Sequence, residues 1–197
     1  MTRRLVQLYA GLVLYGVSLA LMVRADLGLD PWDVFHQGLA DRLPLTFGQV
    51  TIVVGALVLL VWIPLRQRPG LGTISNVIVI GLAVAAALAA IHAPDPIVWR
   101  IALLISGVLL NAVATAAYIG ARLGAGPRDG LMTGLVARTG RSVRLVRTSI
   151  ELSVLSTGWH LGGTVGSGTV LYAVAIGPIV HVLLPQLTVP ERIDMAS

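Results

Sequence analysis

Laid against itself at an offset of 96 residues, the chain matches without a gap over nearly its whole length: Gly11 meets Gly107, Ala25 meets Ala121, and Gly81 meets Gly177. About 23 of about 85 aligned positions are identical, and many of them are Gly, Pro or Asp, residues that constrain backbone rather than supply hydrophobicity. Two Leu/Val/Ala-rich segments matching by chance would not select those types. The chain is therefore read as an internal repeat, repeat one covering 1–92 and repeat two 97–187 within a single membrane domain.

What repeats is set by hydropathy. The chain is 56% hydrophobic and 12% charged, against roughly 45–50% and about 25% in soluble domains, and its mean hydropathy is +0.87. Apolar runs fall at 5–23, 47–65, 73–91, 99–119, 143–161 and 169–187. Each is long enough, at about 1.5 Å rise per residue, to cross a hydrocarbon core of about 30 Å. The fifth is diluted by Ser149, Glu151, Ser153, Ser156, Thr157 and His160, so a five-span chain is the alternative; its alignment with the strongly apolar second run favours six. The first run is too long for a secretory leader and lacks a small-x-small cleavage site, so it is read as a retained helix. Three spans per repeat is an odd number, so the second copy enters the membrane from the opposite face. The expected fold is an all-α membrane protein of six transmembrane helices, arranged as two inverted-topology three-helix repeats.

All 14 basic residues are arginine, a usage that hints at a GC-rich bacterial genome. With six alternating spans, about 11 of them fall on one side, among them Arg3, Arg4, Arg122, Arg128, Arg138, Arg144, Arg147 and Arg192, against about 3 on the other, Arg24, Arg42 and Arg100. The positive-inside rule then makes both termini cytoplasmic in a multi-pass protein of the bacterial plasma (inner) membrane. These arginines read as topology signals rather than a nucleic-acid surface. Trp62, Trp99 and Trp159 stand at span ends, as headgroup-level anchors would. The chain has no cysteine, which removes thiolate metal sites and cysteine nucleophiles. No phosphate loop, metal motif or dinucleotide fingerprint is present. No cofactor, no metal and no enzymatic activity are expected. Ser167 with His181 does not change that reading, because Gly166-Ser167-Gly168 repeats Gly70-Leu71-Gly72, with Leu in place of Ser, as a turn into a helix capped by Thr73 or Thr169.

After the first span of each repeat comes a shared device, Leu27-Gly28-Leu29-Asp30-Pro31-Trp32-Asp33 in one copy and Leu123-Gly124-Ala125-Gly126-Pro127-Arg128-Asp129 in the other. Both read as helix starts, with Pro31 and Pro127 at the first helical position, Asp33 and Asp129 in the first turn, and Asp30 able to cap. The helix over 31–42 is too short to span. Either it lies flat at the interface as an amphipathic segment, or it is a re-entrant half-helix whose N-terminus, with that of its inverted copy, builds a site near the midplane. In the second case Asp33 and Asp129 offset the positive helix ends and favour a cation, a proton or a cationic substrate group. Glu151 is a further candidate as an intramembrane carboxylate, or else a structural partner of Arg147 one turn away. Asn76, Asn111, His160 and His181 are either site residues or helix contacts, and Ala83, Ala87, Ala112 and Ala116 mark packing faces.

The stretches LGLDPWDVFHQGL at 27–39 and GLGTISNVIVIG at 70–81 resemble the YczE/YyaS/YitT-type group of bacterial multi-pass membrane proteins, most closely its YczE-like branch. The resemblance covers most of the chain and implies an inner-membrane protein, without supplying a substrate. Repeat two departs from it, with Arg128 for Trp32 and Tyr172 for Asn76. The expectation is a secondary transporter or exporter of a small molecule. A membrane accessory protein docking through 138–147 and a channel are the alternatives. Expected partners are the bilayer, a small-molecule substrate, and a second copy of the chain or another membrane protein.

Overall fold

The computed structural model describes residues 1–190, and among them the chain forms eight helices and no strand. In order these are α1 (Thr2–Ala25), α2 (Pro31–Ala40), α3 (Phe47–Trp62), α4 (Leu71–Ala90), α5 (Ile97–Gly120), α6 (Pro127–Thr139), α7 (Val143–Leu161) and α8 (Ser167–Leu187). Helices α1, α4, α5 and α8 are long and apolar enough to cross a membrane. Helix α3 is apolar but only 16 residues long, ending three residues before the expected span. Helix α7 has the length but carries Arg144, Arg147 and Glu151.

The helix starts follow the repeat. Pro31 and Pro127, Phe47 and Val143, and Leu71 and Ser167 open α2 and α6, α3 and α7, and α4 and α8 at the same offset of 96. The caps explain why. Thr46 accepts from the Gln49 backbone N–H at 3.3 Å while its own N–H donates to Gln49 Oε1 at 2.8 Å, a reciprocal pair that satisfies two orphan donors of α3. Ser142 does half of this for α7, accepting from Leu145 N at 3.3 Å. At α4 and α8 the expectation needs correcting. These helices begin at Leu71 and Ser167, with Gly70 and Gly166 as N-caps. Thr73 and Thr169 lie one turn inside, and their hydroxyls accept from the Gly70 and Gly166 N–H at 3.1 and 3.3 Å. The β-hydroxyl is on the third helical residue because glycine has no side chain to cap with.

Packing relies on small residues, as it must where surrounding lipid would be as apolar as leucine and close backbone approach replaces the hydrophobic drive. Helix α1 runs along α5 and α4. A Cβ on Gly11 would lie 2.9 Å from Tyr118 N, one on its counterpart Gly107 would lie 3.1 Å from Ser18 O, and one on Gly16 would meet Ala83 and Val84. Leu8, Leu12, Leu19, Met22, Val84, Leu104 and Val108 fill the seam. The short helices cross over: α2 packs on α7 and α6 packs on α3, so each lies against the other half of the chain. Large apolar side chains such as Leu60, Leu82, Leu152 and Val174 point outward.

Trp62 corrects a second expectation. It is 3% exposed rather than at a span-end boundary, and its Nε1 donates to Pro127 O at 3.1 Å, tying the end of α3 to the start of α6. Trp99 and Trp159 are exposed. Arg192, counted above among the arginines of the terminal side, lies outside the described residues.

Candidate functional site at the starts of the short helices

The two repeated motifs meet each other, not themselves. Gly168 N donates to Leu27 O and Gly72 N donates to Leu123 O, both at 2.7 Å. The Leu-Gly turn of each half thus satisfies a free N–H in the first turn of a long helix in the other half. Thr73 Oγ1 also donates to Ala125 O at 2.7 Å. Gly28 and Gly124 take φ of +112° and +134°, a region that penalises any side chain. A Cβ there would approach Gly166 N to 2.6 Å and Thr73 Oγ1 to 2.7 Å. This is the physical content of Gly28, Gly72, Thr73, Gly124, Gly168 and Thr169 as a backbone motif. Gly126 is the N-cap of α6.

These turns deliver the first turn of α2 into the protein interior. Asp30 is the cap, its Oδ1 accepting from Trp32 N at 2.8 Å and Asp33 N at 3.0 Å. Asp33 is therefore free of capping duty and faces His36, whose Nδ1 lies 3.0 Å from Asp33 Oδ1. Both carboxylates and His36 are almost fully buried. Charged groups are buried only when paired, and the partner comes from the other half. Arg128, at the start of α6, places Nη1 at 3.4 Å from Asp30 Oδ1 and Nη2 at 3.4 Å from Asp33 Oδ1. Its guanidinium also lies 5.1 Å from the centre of the Trp32 ring, within cation–π range. One acceptor is left over, since Asp33 Oδ2 is buried and has no hydrogen-bond partner.

Arg128 thus overturns its reading as a topology arginine of a surface loop. Its side chain is 30% exposed and neutralises interior carboxylates. A cation in the first turn of a helix opposes the helix dipole, and that conflict in Gly-Pro-Arg-Asp was the available signal that a carboxylate from elsewhere must face it.

Around this cluster opens a cavity of about 440 Å³ lined by residues of all eight helices, among them Tyr15, Trp32, Asn76, Tyr118, Asp129 and Tyr172. Asp129 accepts from Tyr118 OH at 3.4 Å and from the Gly126 backbone N–H. Arg147 and Glu151 also line the cavity and are bound to each other at 2.8 Å, both partly exposed. Asn111 joins three helices, donating to Ser18 Oγ of α1 at 2.9 Å and accepting from Tyr172 OH of α8 at 3.0 Å. His160 stands apart, exposed at the end of α7 with its ring against Trp159. His181 lines the cavity from α8. The structure therefore gathers Asp30, Asp33, Asp129, Glu151 and Asn76 around one space and leaves His160 outside it. Tyr15, Tyr118 and Tyr172 went unread as site residues, because an aromatic in an apolar span looks the same whether it faces lipid or a cavity, and Trp32 was read only as part of the short helix.

Comparison with known proteins agrees with the membrane character of the helices. A family model described as a family of unknown function (DUF6198) matches residues 2–185. An uncharacterised protein of Haemophilus influenzae is 41% identical over 173 residues, covering 88% of this chain and 79% of that protein. The uncharacterised membrane protein YczE of Bacillus subtilis is 37% identical over 181 residues, covering 90% and 84%. The uncharacterised protein YyaS of the same organism is 23% identical over 179 residues, covering 89% of each. No solved structure matches. With residues 2–185 matched by one family model and YczE-like relatives aligned over most of their length, this chain of apolar helices belongs to the DUF6198, YczE-like family.

Proposed function

We propose that the protein is a six-span secondary transporter of the bacterial inner membrane, with both termini cytoplasmic, built from two inverted repeats that enclose one central substrate site. The observation that carries this reading is the cavity of about 440 Å³ to which all eight helices contribute and into which the first turns of α2 and α6 both project. Converging N-termini of interrupted helices beside a cavity are the arrangement by which inverted-repeat transporters hold substrate near the midplane. The burial of Asp30, Trp32, Asp33 and His36 supports re-entrant short helices over flat interfacial ones. Contact of Arg128 with Trp32, its own counterpart at the repeat offset, supports an inverted pair, since equivalent positions touch only beside the axis that relates them.

The ends of the site differ in a way that suits alternating access. Where α2 crosses α7 the contact is backbone on backbone: a Cβ on Gly158 would lie 2.5 Å from Phe35 N, and one on Gly38 would lie 2.6 Å from Gly158 O. Where α6 crosses α3 it is made by side chains, with Trp62 over Gly130, and Leu65 and Gln67 against Gly134. Both ends are closed in the structure, the first by backbone and the second by side chains, which repack at less cost.

The chain lacks cysteine, so single cysteines can be placed cleanly and probed with a membrane-impermeant thiol reagent. Leu29→Cys and Ala125→Cys are expected to label slowly and from opposite faces. Asn76→Cys, in the cavity, is expected to label from either face, as alternating access requires. Labelling of Leu29→Cys and Ala125→Cys from the same face would overturn the inverted topology, and labelling of Asn76→Cys from one face alone would overturn transport.

A further inference from the structure

The cavity holds an imbalance of charge that its own residues do not cancel. Four carboxylates lie at or directly behind its wall, Asp30, Asp33, Asp129 and Glu151, against two guanidinium groups, Arg128 and Arg147. Arg147 is taken by Glu151 at 2.8 Å. Arg128 is shared between Asp30 and Asp33, both at 3.4 Å. Asp129 has a phenolic hydroxyl at 3.4 Å and the Gly126 N–H but no ion pair among the described residues, and Asp33 Oδ2 has no hydrogen-bond partner. With all four ionised, the described residues of this cluster carry two excess negative charges. The N-termini of α2 and α6 offset about half a charge each, so with its carboxylates ionised the cavity is short of about one positive charge, which a proton or a bound cation supplies.

Two further features describe the group that would supply it. Aromatic faces surround the space, from Tyr15, Trp32, Tyr118 and Tyr172, and Trp32 already holds a guanidinium over its ring at 5.1 Å. Delocalised and alkylammonium cations are recognised by such walls. The remaining lining is aliphatic, including Val54, Val77, Ile80, Ile150 and Ile176, which suits an apolar body. The cavity also has a gap in its wall. Helices α7 and α8 both line it yet share no extensive packing, whereas α3 and α4 pack along each other. Outward-facing Leu152 of α7 and Val174 of α8 are 60% and 69% exposed, so the flanks of the gap include exposed apolar side chains, which suit an approach from acyl chains.

We infer that the cavity takes an amphiphilic organic monocation, an apolar body bearing one ammonium, phosphonium or delocalised charge, which reaches it from the bilayer between α7 and α8 and sets its charge against Asp129. This deepens the transporter reading and rests on the same cavity.

The test is binding of tritiated tetraphenylphosphonium to the purified full-length protein in detergent, followed by scintillation proximity. Saturable binding is expected, displaced by ethidium, another cation, and not by the anion 1-anilinonaphthalene-8-sulfonate. Asp129→Asn, which keeps an acceptor for Tyr118, is expected to weaken binding at least about tenfold, and Glu151→Gln less than about threefold. Should Asp129→Asn fail to fold, Asp129→Glu is expected to restore binding and Trp32→Leu to weaken it. Absence of saturable binding, equal displacement by the sulfonate, or full binding by Asp129→Asn would overturn the inference. Failure of the transporter reading looks different. A protein that binds the cation but, in liposomes, moves none of it retains the ligand class and loses transport. One that binds no cation while Asn76→Cys labels from both faces retains transport and loses the ligand class.

Discussion

Helix pairs α3–α4 and α7–α8 occupy the same register of the repeat and are put to opposite uses. In the first pair Gly48, Gly55 and Gly81 allow the backbones to close: a Cβ on Gly48 would lie 2.4 Å from Gly81 O, and one on Gly55 3.1 Å from Val77. At the corresponding positions of the second pair stand Arg144, Glu151 and Gly177, and a Cβ on Gly177 would meet nothing within 4 Å. Replacing two contact glycines by charged residues holds the helices apart, and Pro178 removes a backbone donor from α8 one residue later. The same register thus carries glycines that let α3 and α4 close and charged residues where α7 and α8 do not.

The largest effect should come from filling the closed pair. Gly48→Ala is expected to cost about 1–3 kcal/mol through overpacking against backbone, read as a lower midpoint of unfolding in detergent; an unchanged midpoint would mean that α3 and α4 do not close as described. Next, Gly28→Ala and Gly124→Ala should each cost about 1–3 kcal/mol, because alanine strains at these φ values and collides with the opposite half. The two costs should agree within about 1 kcal/mol, and a cost at only one would break the symmetry of the exchanged turns. Trp62→Phe, which loses the hydrogen bond to Pro127 O, should cost about 1 kcal/mol in the same assay. Gly177→Ala is expected to be neutral or to stabilise by up to about 1 kcal/mol, since helix propensity improves and no atom is displaced. Its contrast with Gly81→Ala, where the added methyl would lie 2.8 Å from Gly48 O, is the sharpest measure of the difference between the halves. Smallest of all, Arg147→Ala should change stability by less than about 0.5 kcal/mol, because its pair with Glu151 is half exposed.

What the sequence disclosed and what it hid divide along physical lines. Local signals were readable: proline at the first helical position, a cap at Asp30 and glycine in the turns fix helix starts from a few neighbouring residues. Asp30 and Asp33 were readable as carboxylates at a helix start, but their division of labour, one capping and the other facing His36 and Arg128, depends on rotamers set by the tertiary contact. Arg128 was misplaced because charge counting treats every loop arginine alike, and only the carboxylates brought from 98 and 95 positions away distinguish it. Trp62 was misplaced for a related reason: a tryptophan at the end of an apolar run suits a headgroup layer and a buried inter-helix contact equally well. The length of α3 escaped because hydropathy continues through Ile63, Pro64 and Leu65 after the helix has stopped.

The exchange of turns has a consequence for how the chain is made. As the ribosome releases repeat one, the Gly72 N–H waits for Leu123 O and the Leu27 carbonyl waits for Gly168 N, partners not yet synthesised. Repeat one therefore enters the bilayer as an incomplete object, with the first turn of α4 unsatisfied and Asp30 and Asp33 without Arg128. Completion comes in two steps: residues 123–128 bring Leu123 O to Gly72 and Arg128 to the acidic pair, and only the start of α8 brings Gly168 N to Leu27 O, so a chain cut between these points has one exchanged turn closed and the other open.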